Sequence, residues 1–193
     1  TTCIAHALRE LGQLELAEGD FSWCIGPPLR SSFEQILGAD KAHLAAEGVR
    51  HYRTRFGEVG LFENFVYPDI ETTLALLREQ DKTLLVATSK PTVYAEQILA
   101  HFKLAHHFTA IYPRQLDATR SHQNELIADL LEREKLLAKD CLMIGDRKHD
   151  VLGATANGIP TVGVTWGYGS REELQTAGAW RLCDTPHDLL ALI

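Results

Sequence analysis

Two short runs concentrate the side chains that could do chemistry. In Gly145-Asp146-x-x-x-Asp150 a glycine is followed by two carboxylates four residues apart, about one helical turn. Two acids on one face make a hard oxygen site that suits Mg²⁺ with several waters retained. The same two residues also read as first-turn helix acids that stabilise the macrodipole by roughly 0.3–1 kcal/mol each. Spacing alone leaves both readings open. Arg147 and Lys148 are odd company for a metal-binding run unless they point away or balance charge. In Val86-Ala87-Thr88-Ser89-Lys90-Pro91, two hydroxyls and an ammonium come just before a predicted helix, where free backbone N–H groups favour an anion such as a phosphoryl group. Taken alone, an ordinary N-cap by Thr88 or Ser89 accounts for that run better. If both runs end strands on one sheet edge the weight shifts, because Mg²⁺ beside an anion cradle is a phosphoryl-transfer arrangement.

The elements around them must provide that edge. From Pro68 onward short apolar runs alternate with helical segments, the pattern of β-α units on a parallel sheet. Strands are predicted at 83–88, 108–112, 141–145, 161–165 and 181–183. Helices are predicted from Pro91 and over 121–134, 148–157, 171–177 and 187–192. In open α/β sheets the ligand crevice lies outside the strand C-termini, which is where Thr88 and Asp146 fall. Up to about Tyr67 the pattern is helical instead: 3–12, 30–37 and 40–56, with breaks at Gly19-Asp20 and Gly26-Pro27-Pro28. The expected organisation is a helical domain over 1–67 and an α/β domain over 68–193.

Composition narrows the class. The chain has 193 residues, 45% hydrophobic, with a formal charge of −7, enough to bury a sizeable core without staples. No run reaches the ~18 apolar residues of a spanning helix, and no basic leader opens the chain, so a cytoplasmic protein without membrane contact is expected. The acidic balance, without a Lys/Arg cluster, argues against a nucleic-acid polymer as partner. Cys3, Cys24, Cys141 and Cys183 lack metal-ligand spacing and read as reduced, mostly buried thiols. His106-His107 reads as surface or loop.

The run MIGDRKHDVLGATANGIPTVGVTWGYGSREEL (143–174), with VATSKPTVYAEQIL (86–99), IGPPLRSSF (25–33) and GLFENFVYP (60–68), closely resembles the haloacid dehalogenase superfamily of phosphatases, in its phosphoglycolate phosphatase-like and 5′-nucleotidase-like branch. The resemblance covers essentially the whole chain. GDRKHD followed by G-x-x-x-N-G-I-x-x-x-x-V is specific, whereas TSK alone is weak. It implies a Rossmann-like parallel sheet with a helical cap domain, a small phosphorylated metabolite as partner, and Mg²⁺ as cofactor. Thr88 matches the residue that holds the transferring phosphoryl group, with Ser89 and Lys90 beside it. Asp146 matches the Mg²⁺ ligand and Asp150 its supporting acid. Gly26, Pro27 and Arg30 match the cap loop that helps choose the substrate, and cap closure excludes water.

Two departures accompany the resemblance. The family's nucleophile is the first Asp of D-x-D-G-T on a strand before the cap, with the second Asp as general acid/base. No D-x-D occurs here, so the motif and the first core strand are expected upstream of Thr1, and a chain without them is expected to be inert. Relatives also commonly show R-x-x-K where this chain has Arg120-Ser121-His122-Gln123. Gln123 stands where the lysine is expected, and Arg120 or Lys90 is the cation able to substitute. A solvated helix face at 120–123 is an equally open reading. Two function classes follow: a Mg²⁺-dependent phosphomonoesterase working through an aspartyl-phosphate, or a catalytically silent module that binds a phosphate ligand or a protein. A flavodoxin-like or receiver-like sheet shares the β-α order but leaves the helical prefix and the second acid unexplained.

Overall fold

The computed structural model of the chain describes residues 1–88, 90–113 and 123–193. The chain divides into two units, Thr1–Phe65 and Val66–Ile193; the sequence pattern puts the change at Tyr67. No helix among the described residues is long and apolar enough to cross a membrane.

The first unit is helical: α1 (Thr2–Glu10), α2 (Leu29–Lys41) and α3 (Ala45–Glu58). Its apolar positions recur at helical spacing, so Ile4, Ala7 and Leu8 of α1 meet Phe33 and Leu37 of α2 and Ala45 of α3 in one core. Arg55 closes it by donating to Cys3 Sγ (3.1 Å) and gripping Glu63 with two 2.6 Å bonds. Cys3, Cys24 and Cys183 are buried, Cys141 is partly so, and all four are free thiols.

The second unit alternates α4 (Ile70–Glu79), β1 (Leu85–Thr88), α5 (Thr92–His101), β2 (Ala110–Pro113), α6 (Gln123–Glu134), β3 (Met143–Gly145), α7 (Lys148–Thr155), β4 (Thr161–Val164), α8 (Arg171–Thr176) and β5 (Arg181–Cys183), and ends in a 3₁₀ segment, Pro186–Ala191. All strand pairs are parallel. β1 pairs with β2 in the register Leu85↔Ala110 to Thr88↔Pro113. β4 pairs with β3 and β5, aligning Gly145 with Gly163 and Gly163 with Leu182.

The single sheet expected from the sequence is therefore two sheets among the described residues, β1-β2 and β3-β4-β5. Among the described residues no ladder joins β1 to β3, and each of these strands is paired on one edge. Several boundaries also differ from the pattern. Strands start up to two residues later because the apolar runs begin before the ladder does. Pro91 is the cap of α5 rather than its first residue, the closing helix is 3₁₀, and α4 went unpredicted. His107 is buried in the 3₁₀ turn Ala105–His107, which corrects its reading as surface or loop.

Candidate active site

β3 delivers the acidic run. Its last residue, Gly145, is buried, and a Cβ there would lie 2.3 Å from Asp150 Cβ, so only glycine allows the first turn of α7 to fold back this closely. Asp146 follows, then Arg147 in extended conformation as the cap of α7. Asp150 Oδ2 accepts the Arg147 backbone N–H at 3.0 Å, and Oδ1 has a long 3.4 Å contact from Gln123 Nε2. Burial raises the Asp150 carboxyl to about 6; the Arg147 N–H and the Arg147 charge pull it down in part, and the charge of Asp146 pushes it up again. Burial beside Asp146 thus makes the Asp150 carboxylate costly to hold ionised.

A loop after β4 wraps the same run. The Tyr168 N–H donates to Asp146 Oδ2 at 2.8 Å. A Cβ at Gly167 would meet Asp146 Cβ at 2.2 Å, and one at Gly169 would meet the Asp146 carbonyl oxygen at 2.0 Å. Both glycines are needed for backbone to lie against Asp146. Glu173 of α8 completes the wrap, its Oε1 accepting from Arg147 Nε (2.9 Å) and from the Lys148 N–H (2.8 Å). Burial pushes the Glu173 carboxyl up, but these two donors hold it below the ordinary carboxylate value. Tyr67 lies in the same neighbourhood: burial, Tyr168 and Asp146 raise its phenol.

The other run sits on the other sheet. Thr88 ends β1 half-buried, and its Oγ1 accepts the Lys90 N–H at 3.2 Å, a local turn rather than a helix cap, since α5 has no side-chain cap. Burial lowers the Lys90 ammonium. Ser89 and Arg120 lie outside the described residues. Gln123 opens α6 and packs over Gly153, where a Cβ would meet Gln123 Cγ at 2.8 Å; its amide is turned to Asp150. Gly26, Pro27 and Arg30 belong to the helical unit. There Gly26 takes φ 109°, and the exposed Arg30 pairs with Glu34 at 3.0 Å. The structure therefore brings Asp146, Asp150 and Gln123 together and adds Gly167, Tyr168 and Glu173, which the motif reading missed. The signal for these three was present: two glycines in Gly167-Tyr168-Gly169, then Ser170-x-x-Glu173, the spacing of a capping box.

The donors fit Mg²⁺. Among the described residues no three His, Cys, Asp or Glu side chains cluster, but Mg²⁺ needs only one or two carboxylates and takes its remaining ligands from water and substrate oxygens. Asp146 and Asp150 supply that pair, and a cation beside them would offset the cost of ionising the buried Asp150.

Comparison with known proteins agrees in kind. The profile of the haloacid dehalogenase-like hydrolases matches residues 1–164. A 5′-nucleotidase from Pseudomonas aeruginosa is 46% identical over 192 residues, spanning 100% of this chain and 85% of that protein. A protein named tyrosine-protein kinase PtkA, from Mycobacterium tuberculosis, is 36% identical over 165 residues, 85% of this chain and 55% of its own length, so the chain spans about half of it. A crystal structure of a predicted phosphatase from Clostridium acetobutylicum superposes with a TM-score of 0.87 at 38% identity, covering 98% of this chain and 88% of that one.

Proposed function

The chain belongs to the haloacid dehalogenase-like hydrolases, and from that premise we propose Mg²⁺-dependent hydrolysis of a small phosphomonoester as its reaction. The observation that carries this proposal is the meeting of Asp146 and Asp150 at the end of β3, one of them raised to about 6 by burial. Asp146 and Asp150 would hold the ion. When bound, Mg²⁺ neutralises phosphoryl charge and orients phosphoryl oxygens for in-line attack. Thr88 Oγ1 and the backbone of residues 88–90 orient the phosphoryl group, and Lys90 or Arg120 offsets the charge that develops on it. Gln123, contacting Asp150, carries no charge of its own and steadies that carboxylate.

The nucleophile in this proposal is an Asp upstream of Thr1. Its carboxylate oxygen attacks phosphorus, the ester P–O bond breaks, and the leaving alcohol takes a proton from a second acid. Water then cleaves the aspartyl-phosphate. A strand between β1 and β3 to carry that Asp is compatible with the two sheets, since among the described residues both strands lie at a sheet edge. The 5′-nucleotidase relative favours a nucleoside 5′-monophosphate over phosphoglycolate as substrate. The kinase-named relative shares phosphoryl transfer in name but a different acceptor, and the hydrolase family favours water. Gly26, Pro27 and Arg30 keep the role in substrate choice that the resemblance gives them.

Gln123 in place of the family lysine favours one second reading, a catalytically silent module that keeps the phosphate crevice. Turnover separates the two. With the upstream segment present, the parent protein is expected to hydrolyse an aryl phosphate only with Mg²⁺, and Asp146→Asn is expected to abolish that activity. Near-normal turnover by Asp146→Asn removes Asp146 from the metal role, and a parent protein that binds phosphate without turnover supports the silent module.

A further inference from the structure

We propose that Glu173 is a positioning residue for the cation site: it holds the Arg147 guanidinium away from the two carboxylates, Asp146 and Asp150, that flank Arg147 in the chain. This inference rests on the reading of Asp146 and Asp150 as the Mg²⁺ pair.

Arg147 is a paradox in a metal-binding run. It is a permanent cation planted between two acids, with only 14% of its side chain exposed, and its guanidinium fork suits carboxylates better than any other side chain does. Its charge already acts on Asp150, and a guanidinium drawn onto both carboxylates would occupy the place of a divalent ion. Glu173 answers that directly. One carboxylate oxygen accepts Arg147 Nε at 2.9 Å, a charge-assisted bond stronger than a neutral one. The same oxygen accepts the Lys148 backbone N–H at 2.8 Å, which fixes Glu173 to the loop independently of the arginine.

The local sequence explains how Glu173 comes to be available. Ser170-Arg171-Glu172-Glu173 has the spacing of a capping box, in which the glutamate would turn back to its own helix N-terminus. Only half of that box forms. Ser170 Oγ accepts the Glu173 N–H at 3.0 Å, while the Glu173 carboxylate reaches out to residues 147 and 148. The neighbouring Tyr168 N–H meanwhile holds Asp146 Oδ2, with Gly167 and Gly169 allowing the approach. Segment 167–173 therefore grips three consecutive residues, 146 to 148, by a different contact at each, and gives the two charges separate partners: the Asp146 carboxylate the Tyr168 N–H, the Arg147 guanidinium Glu173 of α8.

The test is Mg²⁺ binding by isothermal titration calorimetry on the full chain, with Mn²⁺ electron paramagnetic resonance as a second readout that needs no turnover. Glu173→Gln is expected to weaken Mg²⁺ about tenfold, in the range found when groups supporting metal ligands are lost. Arg147→Met alone is expected to bind within about threefold of the parent, and the double variant E173Q/R147M to recover to the level of R147M. That recovery is the signature of competition by Arg147, which a merely structural role for Glu173 would not produce. Should E173Q fail to fold, Glu173→Asp, which keeps the charge and shortens the reach, is expected to give a smaller loss that R147M also relieves. Parent-like binding by E173Q, or a double variant as weak as E173Q, overturns the proposal. Asp146→Asn serves as the control for the site itself: unchanged binding there overturns the Mg²⁺ assignment rather than the role of Glu173.

Discussion

The two sheets of the α/β unit differ in how completely they are closed. Every residue of β4 is buried between β3 and β5, whereas every residue of β1 is only half-buried, and among the described residues its ladder runs to β2 alone. Ile144 of β3 is likewise 36% exposed while Val162 of β4 is 0%. Parallel strands are usually covered on both faces, and a two-stranded piece is marginal by itself. The difference teaches where each half of the candidate site gets its rigidity. The carboxylate half stands on a sheet that buries its own central strand and is gripped by segment 167–173. The anion half, Thr88 and Lys90, stands on a sheet whose order depends on one more neighbour.

Hydrogen exchange offers the largest break in that comparison. Backbone amides of β4 are expected to exchange on the order of a thousandfold more slowly than those of β1, because local opening spans the range from near zero to the global free energy. Adding the proposed upstream strand is expected to bring β1 close to β4. Equal protection in the chain without that strand removes the distinction between the sheets.

Much of this was legible in the residues. CLMIG before DRKHD and TLLVAT before SKP are apolar runs that stop at polar clusters, so strand ends and candidate site coincide, and both β1 and β3 formed where those runs lie. Sheet partition was not legible, because an apolar run states that a strand wants neighbours and not which neighbours it finds. α4 carries Ile70, Thr73, Leu74 and Leu77 at helical spacing, a signal only ten residues long that is soon followed by the stronger apolar run of β1. Glu173 stayed hidden for a different reason. Its spacing from Ser170 predicts a local role, and only the fold shows its carboxylate diverted to a loop 26 residues earlier.

Ionisable groups at the two strand ends sharpen the contrast with opposite pH dependences. Folded Asp150 titrates at about 6 against an ordinary 3.8, burial being the main cause. Between those values the folded state holds a proton that the unfolded chain has lost, so stability falls as pH rises through the window, and the cost is fully present above about pH 6. Lys90 is shifted downward by burial. Below its ordinary range the unfolded chain binds the extra proton, so its contribution to stability rises with pH through a window on the alkaline side. Without metal, Asp150→Asn is therefore expected to gain stability relative to the parent on moving from pH 4 to pH 7.5, on the order of 1–3 kcal/mol. Denaturant melts at both pH values measure it, and a difference that does not change with pH denies the buried charge its cost.

The smallest effect concerns packing alone. Val162 is fully buried in the cluster with Val164, Cys183 and Leu189, so Val162→Ala removes methyl groups and leaves a cavity, at a cost of about 2 kcal/mol. Val86, one position into the half-buried β1, has less surface withdrawn from water and a looser surround able to relax, so Val86→Ala is expected to cost about 1 kcal/mol or less. The inequality belongs to the open edge and not to the residue type, because both positions are valines in parallel strands flanked by helices. Adding the proposed strand beside β1 is accordingly expected to raise the Val86 cost toward that of Val162 while leaving Val162 unchanged. Paired urea melts of the two variants, with and without that strand, read the change directly, and a Val86 cost that stays low when the strand is present means that the strand does not lie against β1.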